Sequence, residues 1–155
     1  MSSKMNLMHE SREEMKRAEH MLYVSLKYTR TVDVIKNLID RLISGITLTI
    51  DYLLIEAKEK KRIKEIPPQT GLKCEIVQTL YTDEKIKEMI SFFLMLRKIS
   101  KAEYKRSNEF RRHVTMTATT DTGTVEINLD VIKEYFEKSM EYLDYAENLI
   151  NPKKD

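Results

Sequence analysis

The chain has 155 residues, a formal net charge of +2, 41% hydrophobic and 34% charged residues. That length fits one domain able to bury roughly two thirds of its unfolded surface without disulfides or a structural metal. The balance excludes a disordered or membrane-embedded chain, and three glycines with three prolines are too few for a β-sandwich or barrel.

The first helix signal is Ser11-Arg12-Glu13-Glu14, a capping box in which the Ser11 hydroxyl takes a backbone N–H three residues on and Glu14 reaches back. Met15, Ala18, Leu22, Ser25 and Leu26 then form one face, which predicts a helix from Ser11 to about Tyr28. Residues 1–10 are expected to be a flexible end. Thr29-Arg30-Thr31 breaks the pattern, and Thr31 is placed to cap the next helix.

A long second helix is expected over Val32 to Arg62. Ile35, Leu38, Ile39, Leu42, Ile46, Ile50, Leu53, Leu54 and Ala57 make its apolar stripe, with Asp33, Lys36, Asp40, Ser44, Thr47 and Asp51 opposite. The stretch Ile46 to Ile50 also alternates as a strand would, but the 3.6-residue period runs through it. Gly45 costs about 1 kcal/mol against Ala inside a helix and marks a close helix crossing. Ile66 to Gly71 is an inter-helix loop, and a short helix is expected over about Leu72 to Leu80. Thr82 or Asp83 caps a third long helix that carries Ile86, Met89, Ile90, Phe93, Leu96 and Ser100 and extends to about Arg112.

The period then changes to two. Val114, Met116 and Ala118 alternate with threonines, Asp121-Thr122-Gly123 is a turn, and Val125, Ile127 and Leu129 alternate again, which predicts a β-hairpin. Asn128 or Asp130 caps a last helix with Ile132, Phe136, Met140, Leu143 and Ile150 on one face. Residues 151–155 are expected to be a second flexible end. The fold expected is mostly α: an up-and-down bundle of about four main helices, with one β-hairpin inserted before the last, forming a single domain over 11–150.

The single cysteine, Cys74, rules out an internal disulfide and suits a reducing cytoplasm; no motif surrounds it, so an inert thiol is expected. The N-terminus has no apolar signal core. Phe92 to Leu96 is too short to cross a bilayer and Ile46 to Ile55 contains Asp51, so no membrane association is expected. The lack of Trp and the wealth of Lys, Glu and Arg lean towards a thermophile. Gly45, Gly71 and Gly123 are too scattered for a phosphate-cradling loop. There is no paired Cys, no His-x-x-x-His, and no Glu three residues before a His, so zinc and di-iron motifs are absent and no metal or cofactor is expected.

His9 and His20 would share a helix face but stand about 16 Å apart. His113 follows Arg106 by seven residues, close to two helical turns, so the two would share a face. A histidine can act as acid or base near neutrality and an arginine can neutralise phosphate. The pair therefore has the chemistry for metal-free RNA cleavage by the 2′-hydroxyl. Arg111 and Arg112 add phosphate affinity. Lys98, Lys101, Lys105 and Arg112 form a basic stripe on the same expected helix, while Asp130, Glu134, Glu137, Glu141 and Asp144 form an acidic stripe on the last. These faces can bridge to each other, within or between subunits, stay solvated, or, for the basic one, meet nucleic acid.

A capped first helix, a second long helix with a small-residue crossing, a third ending in Arg and then His, and a final helix together resemble the HEPN domain. This is a nucleotide-binding helical family of higher eukaryotes and prokaryotes. Ala18-Glu19-His20-Met21-Leu22 is similar to the first helix of such domains. Arg106, Ser107 and His113 fit the family motif of an Arg, a polar residue, and a His after a short gap. The resemblance implies a homodimer with Arg106 and His113 in a cleft between protomers, cleaving RNA without metal. Other members are inactive dimerisation or nucleotide-binding modules, often beside a small nucleotidyltransferase in a toxin–antitoxin pair. The function expected is thus a HEPN-like domain that binds RNA or nucleotide, with metal-independent cleavage as its candidate activity. The rival is a non-catalytic interaction or dimerisation module.

Overall fold

The computed structural model describes residues 2–152. Helix α1 spans Ser3–His20 and runs on through a π-helical stretch, Met21–Ser25, into a last turn at Leu26–Tyr28. Helices α2 (Val32–Glu59), α3 (Thr70–Leu80) and α4 (Glu84–Lys101) follow. Then come strands β1 (Glu103–Ser107), β2 (Thr115–Thr120) and β3 (Gly123–Ile127), and last helix α5 (Leu129–Ile150). The expectation of a mostly α fold with a hairpin before the last helix is met, with a third strand added. No described helix is long and apolar enough to cross a membrane.

Helix α2 is the axis of the core. Its buried residues, among them Ile35, Leu38, Ile39, Leu42, Ile46, Ile50, Leu53 and Leu54, point in several directions because α1, α3, α4 and α5 all pack on it. Ile46 to Ile50 is helical, as its 3.6-residue context requires. Thr31 caps α2, its hydroxyl accepting from the Val34 N–H at 3.4 Å, and Asn128 caps α5, accepting from Val131 at 2.9 Å. Asp83 stands at the start of α4 without a side-chain cap bond; its carboxylate instead accepts from the Tyr145 hydroxyl at 2.5 Å.

The capping box at Ser11 is not one. Helix α1 begins at Ser3, capped by the Ser2 hydroxyl, which accepts from Met5 at 3.2 Å. Residues 3–10, expected in a flexible end, are therefore helical, and Met8 is buried. Most of the other expected flexible end, residues 153–155, lies outside the described residues. Ser11 sits mid-helix and fully buried. Its hydroxyl donates to the Gly45 carbonyl at 2.7 Å and pairs with the Thr49 hydroxyl at 2.9 Å. Glu14 is buried too, bound by Arg17 at 2.7 Å and Arg41 at 3.2 Å. Gly45 makes this approach possible, since it presents bare backbone to α1.

The third long helix does not reach Arg112. After Ile99 only Ala102 continues the apolar spacing before Glu103, Arg106 and Ser107; Ala102 turns extended, and 103–107 pairs with β2 instead. The sheet is antiparallel in the order β1-β2-β3, with Tyr104 opposite Ala118 and Arg106 opposite Met116. Val114, Met116, Ala118 and Ile127 are buried against the helices, while Thr115, Thr117 and Thr119 take the outer face.

Candidate nucleic-acid interface

The expected Arg106–His113 helix face does not exist, because Arg106 lies on β1 and His113 in the turn between β1 and β2. Facing residues of neighbouring strands share a side of the sheet, so Arg106 shares the helix-facing side with Met116. Its guanidinium meets the Asp33 carboxylate at 2.8 Å and Glu109 at 3.6 Å, and lies over the Tyr104 ring at 5.5 Å. The hydrogen bond that the guanidinium donates to Asp33 raises the Arg106 pKa above its usual value. Arg106 thereby ties the edge strand to the first turn of α2.

The same stripe of lysines is also dispersed. Lys98 on α4 meets Asp121 of the β2–β3 turn at 3.5 Å, Lys101 ends α4, Lys105 is on β1 opposite Thr117, and Arg112 is in a turn. Among the described residues the acidic stripe of α5 makes no ion pair with it: Asp144 pairs with Arg12 of α1 at 2.7 Å, Glu141 pairs with Lys85 at the start of α4, and Asp130 shares only a cleft with Arg112.

Residues 108–114 form two consecutive tight turns, closed by Arg111 N–H to the Asn108 carbonyl at 3.2 Å and Val114 N–H to the Arg111 carbonyl at 3.1 Å. Asn108 and Phe110 adopt the left-handed conformation, with φ of 55° and 67°. Asparagine tolerates it. Phenylalanine pays about 1–3 kcal/mol, and such strain persists only where the surroundings impose it. They do so here through two contacts with the start of α2. The Phe110 N–H donates to the Arg30 carbonyl at 2.6 Å, and the Glu109 carboxylate accepts from the Val32 N–H at 3.0 Å, at the positive end of the helix dipole.

The result is an aromatic ring in water. Phe110 is 76% exposed, and Arg111, Arg112 and His113 follow it, all exposed. Among the described residues neither arginine has a carboxylate partner, whereas Arg12, Arg17, Arg41 and Arg106 all do. Arg112, His113 and Thr115 form one wall of a cleft of about 440 Å³; Asn128, Leu129 and Asp130, where α5 begins, form the other. The structure thus brings His113 together with Arg112, and places Arg106 among carboxylates on α2 and the loop. Phe110, Thr115 and Asn128 were not anticipated. The signal for Phe110 was an isolated aromatic inside a basic run, but its exposure depends on the turn.

Among the described residues no three His, Cys, Asp or Glu side chains gather as a metal site. Cys74 is buried, and burial pushes its thiol pKa up. No known family, characterised protein or solved structure matched the chain.

Proposed function

We propose that this protein binds single-stranded RNA through the 108–113 turn, in keeping with the HEPN resemblance. The observation that carries it is Phe110, held out in water by a strained backbone beside two arginines without carboxylate partners. Phosphate contacts from arginine supply affinity, and an exposed ring stacks an unpaired base in any sequence. A duplex hides its base faces, so the single strand is the better fit.

The remaining parts of the reading rest on the resemblance and on composition: a homodimer, a nucleotidyltransferase partner as in toxin–antitoxin pairs, metal-independent cleavage, a cytoplasmic place and a thermophilic source. If the protein cleaves, His113 with Arg112 is the acid–base and phosphate-binding pair that shares a cleft, and Arg106 positions the loop. The rival is a non-catalytic interaction module.

Fluorescence anisotropy with a labelled RNA of roughly ten nucleotides tests the proposal. Binding that weakens between about 50 and 200 mM salt and is lost in Arg111→Ala/Arg112→Ala supports it. No binding at the lower salt favours the interaction module. Sedimentation equilibrium at micromolar protein tests the homodimer independently, through a mass twice that of the chain.

A further inference from the structure

We infer that the bound strand crosses the start of α5 and seats its phosphates in two clefts rather than one; this rests on the RNA-binding reading above. A second cleft of about 230 Å³ adjoins the first, and Leu129 and Asp130 line both. Its far wall carries Tyr23 from the π-helical stretch together with Lys27 and Arg30, and Lys133 closes it one turn along α5. Among the described residues none of these cations has a carboxylate partner. The Arg30 Nε–H donates to the Leu26 carbonyl at 3.3 Å, and Lys27 lies over the Tyr28 ring at 5.9 Å.

Tyr23 repeats the exposed ring that Phe110 presents on the turn carrying Arg112. It is 51% exposed, and it packs T-shaped with the Phe136 ring, centroids 6.4 Å apart, so it is held yet open to a base. The wider π turn places it there, as such turns often do at binding sites. The first cleft therefore offers Arg112, with the Phe110 ring on the same turn, and the second offers Lys27, Arg30 and Lys133 with the Tyr23 ring.

Asp130 separates the two groups of cations. Its exposed carboxylate repels phosphate, which disfavours one phosphate bridging Arg112 and Lys133. Two phosphates of one strand can meet both, passing on either side of it. The ligand is then an oligomer, and a mononucleotide fills one cleft only.

The test uses Lys27→Ala/Lys133→Ala, since both side chains are exposed and unlinked to the core. Binding is measured with a U-homopolymer of roughly ten nucleotides and with uridine monophosphate. The variant is expected to bind the oligomer about tenfold more weakly, with a salt slope smaller by about 0.7, the share of one phosphate contact. The variant should still bind the monophosphate, through the first cleft. If Arg111→Ala/Arg112→Ala weakens the oligomer but Lys27→Ala/Lys133→Ala retains both affinity and slope, the crossing is overturned and RNA binding stands. If the unaltered protein binds no RNA, both fall.

Discussion

A Cβ on Gly45 would stand 2.2 Å from the Met15 Cε, so the methyl end of Met15 occupies the place of the missing side chain. The next nearest atoms, the Ser11 carbonyl oxygen and the Glu14 Cβ, lie at 3.6 and 3.7 Å, within ordinary contact. The obstacle is therefore one flexible side chain, although Met15 is itself buried. Gly45→Ala is expected to cost about 1 kcal/mol net: overpacking costs about 1–3 and loss of a helical glycine returns about 1. In a Met15→Ala background the same substitution should stabilise by about 1 kcal/mol. Urea unfolding of the four proteins checks this. An equal cost in both backgrounds would show that Met15 is not what Gly45 accommodates.

Ser11 should matter less than its burial suggests. The Gly45 carbonyl also accepts from the Thr49 hydroxyl at 3.0 Å, so Ser11→Ala leaves no buried acceptor without a donor. The expected loss is about 1 kcal/mol, near the net worth of one hydrogen bond. Removing both hydroxyls, in Ser11→Ala/Thr49→Val, leaves that carbonyl short of its side-chain donors and should cost more than the sum of the single changes.

Phe110 sets stability against binding. Phe110→Gly relieves the positive φ and should raise stability by about 1 kcal/mol, after glycine's extra unfolded entropy is subtracted. The same change removes the stacking ring and should weaken RNA binding by about 1–3 kcal/mol. Phe110→Ala keeps most of the strain and loses the ring, so only binding should fall. A Phe110→Gly protein that is less stable than the parent would show that the ring contributes to the fold.

Arg106 and Arg112 should separate under mutation. Arg106→Gln breaks exposed pairs with Asp33 and Glu109, so it should change stability little and leave most RNA affinity in place. Arg112→Gln should lower affinity and salt slope. If the protein cleaves RNA, His113→Ala should slow it by about 10²–10⁴-fold with the circular dichroism unchanged. A larger loss of affinity in Arg106→Gln than in Arg112→Gln would move the interface to the α2 side of the loop.

Stability should fall in alkali. Burial raises the pKa of Tyr52, Tyr81, Tyr135 and Tyr142 above 10.0, and that of Cys74 above 9.0. Between those values and the higher folded ones, the unfolded chain releases protons that the folded chain keeps, so unfolding gains as pH rises. The Lys4 pKa is raised from 10.5, chiefly by its hydrogen bond to Glu56, and its contribution is likewise present below that value and lost above. The urea midpoint should hold steady between about pH 6 and 9 and then decline. Tyr81→Phe should soften that decline while losing the hydroxyl's 2.9 Å bond to the Leu53 carbonyl.

What the sequence determined by itself was local or strongly periodic. Thr31 and Asn128 cap the helices that follow because a short polar side chain reaches an N–H three residues away wherever the chain goes. Alternation over 114–129 specified a hairpin because its partner strand lies within a few residues, and Gly45 announced a crossing because no other role suits glycine inside so long an apolar helix. Ser11 misled for a related reason: a hydroxyl able to cap a helix can equally bond across one, and which it does depends on α2, 34 residues away. The segment 103–107 has no pattern of its own. It is a strand because β2 offers it a ladder, and that pairing alone moved Arg106 away from His113. The tertiary structure likewise decided which basic residues meet. Lys27, Arg30, Arg112 and Lys133 are distant in sequence, and only the packing of α1, the β1–β2 turn and α5 gathers their charge around Asp130.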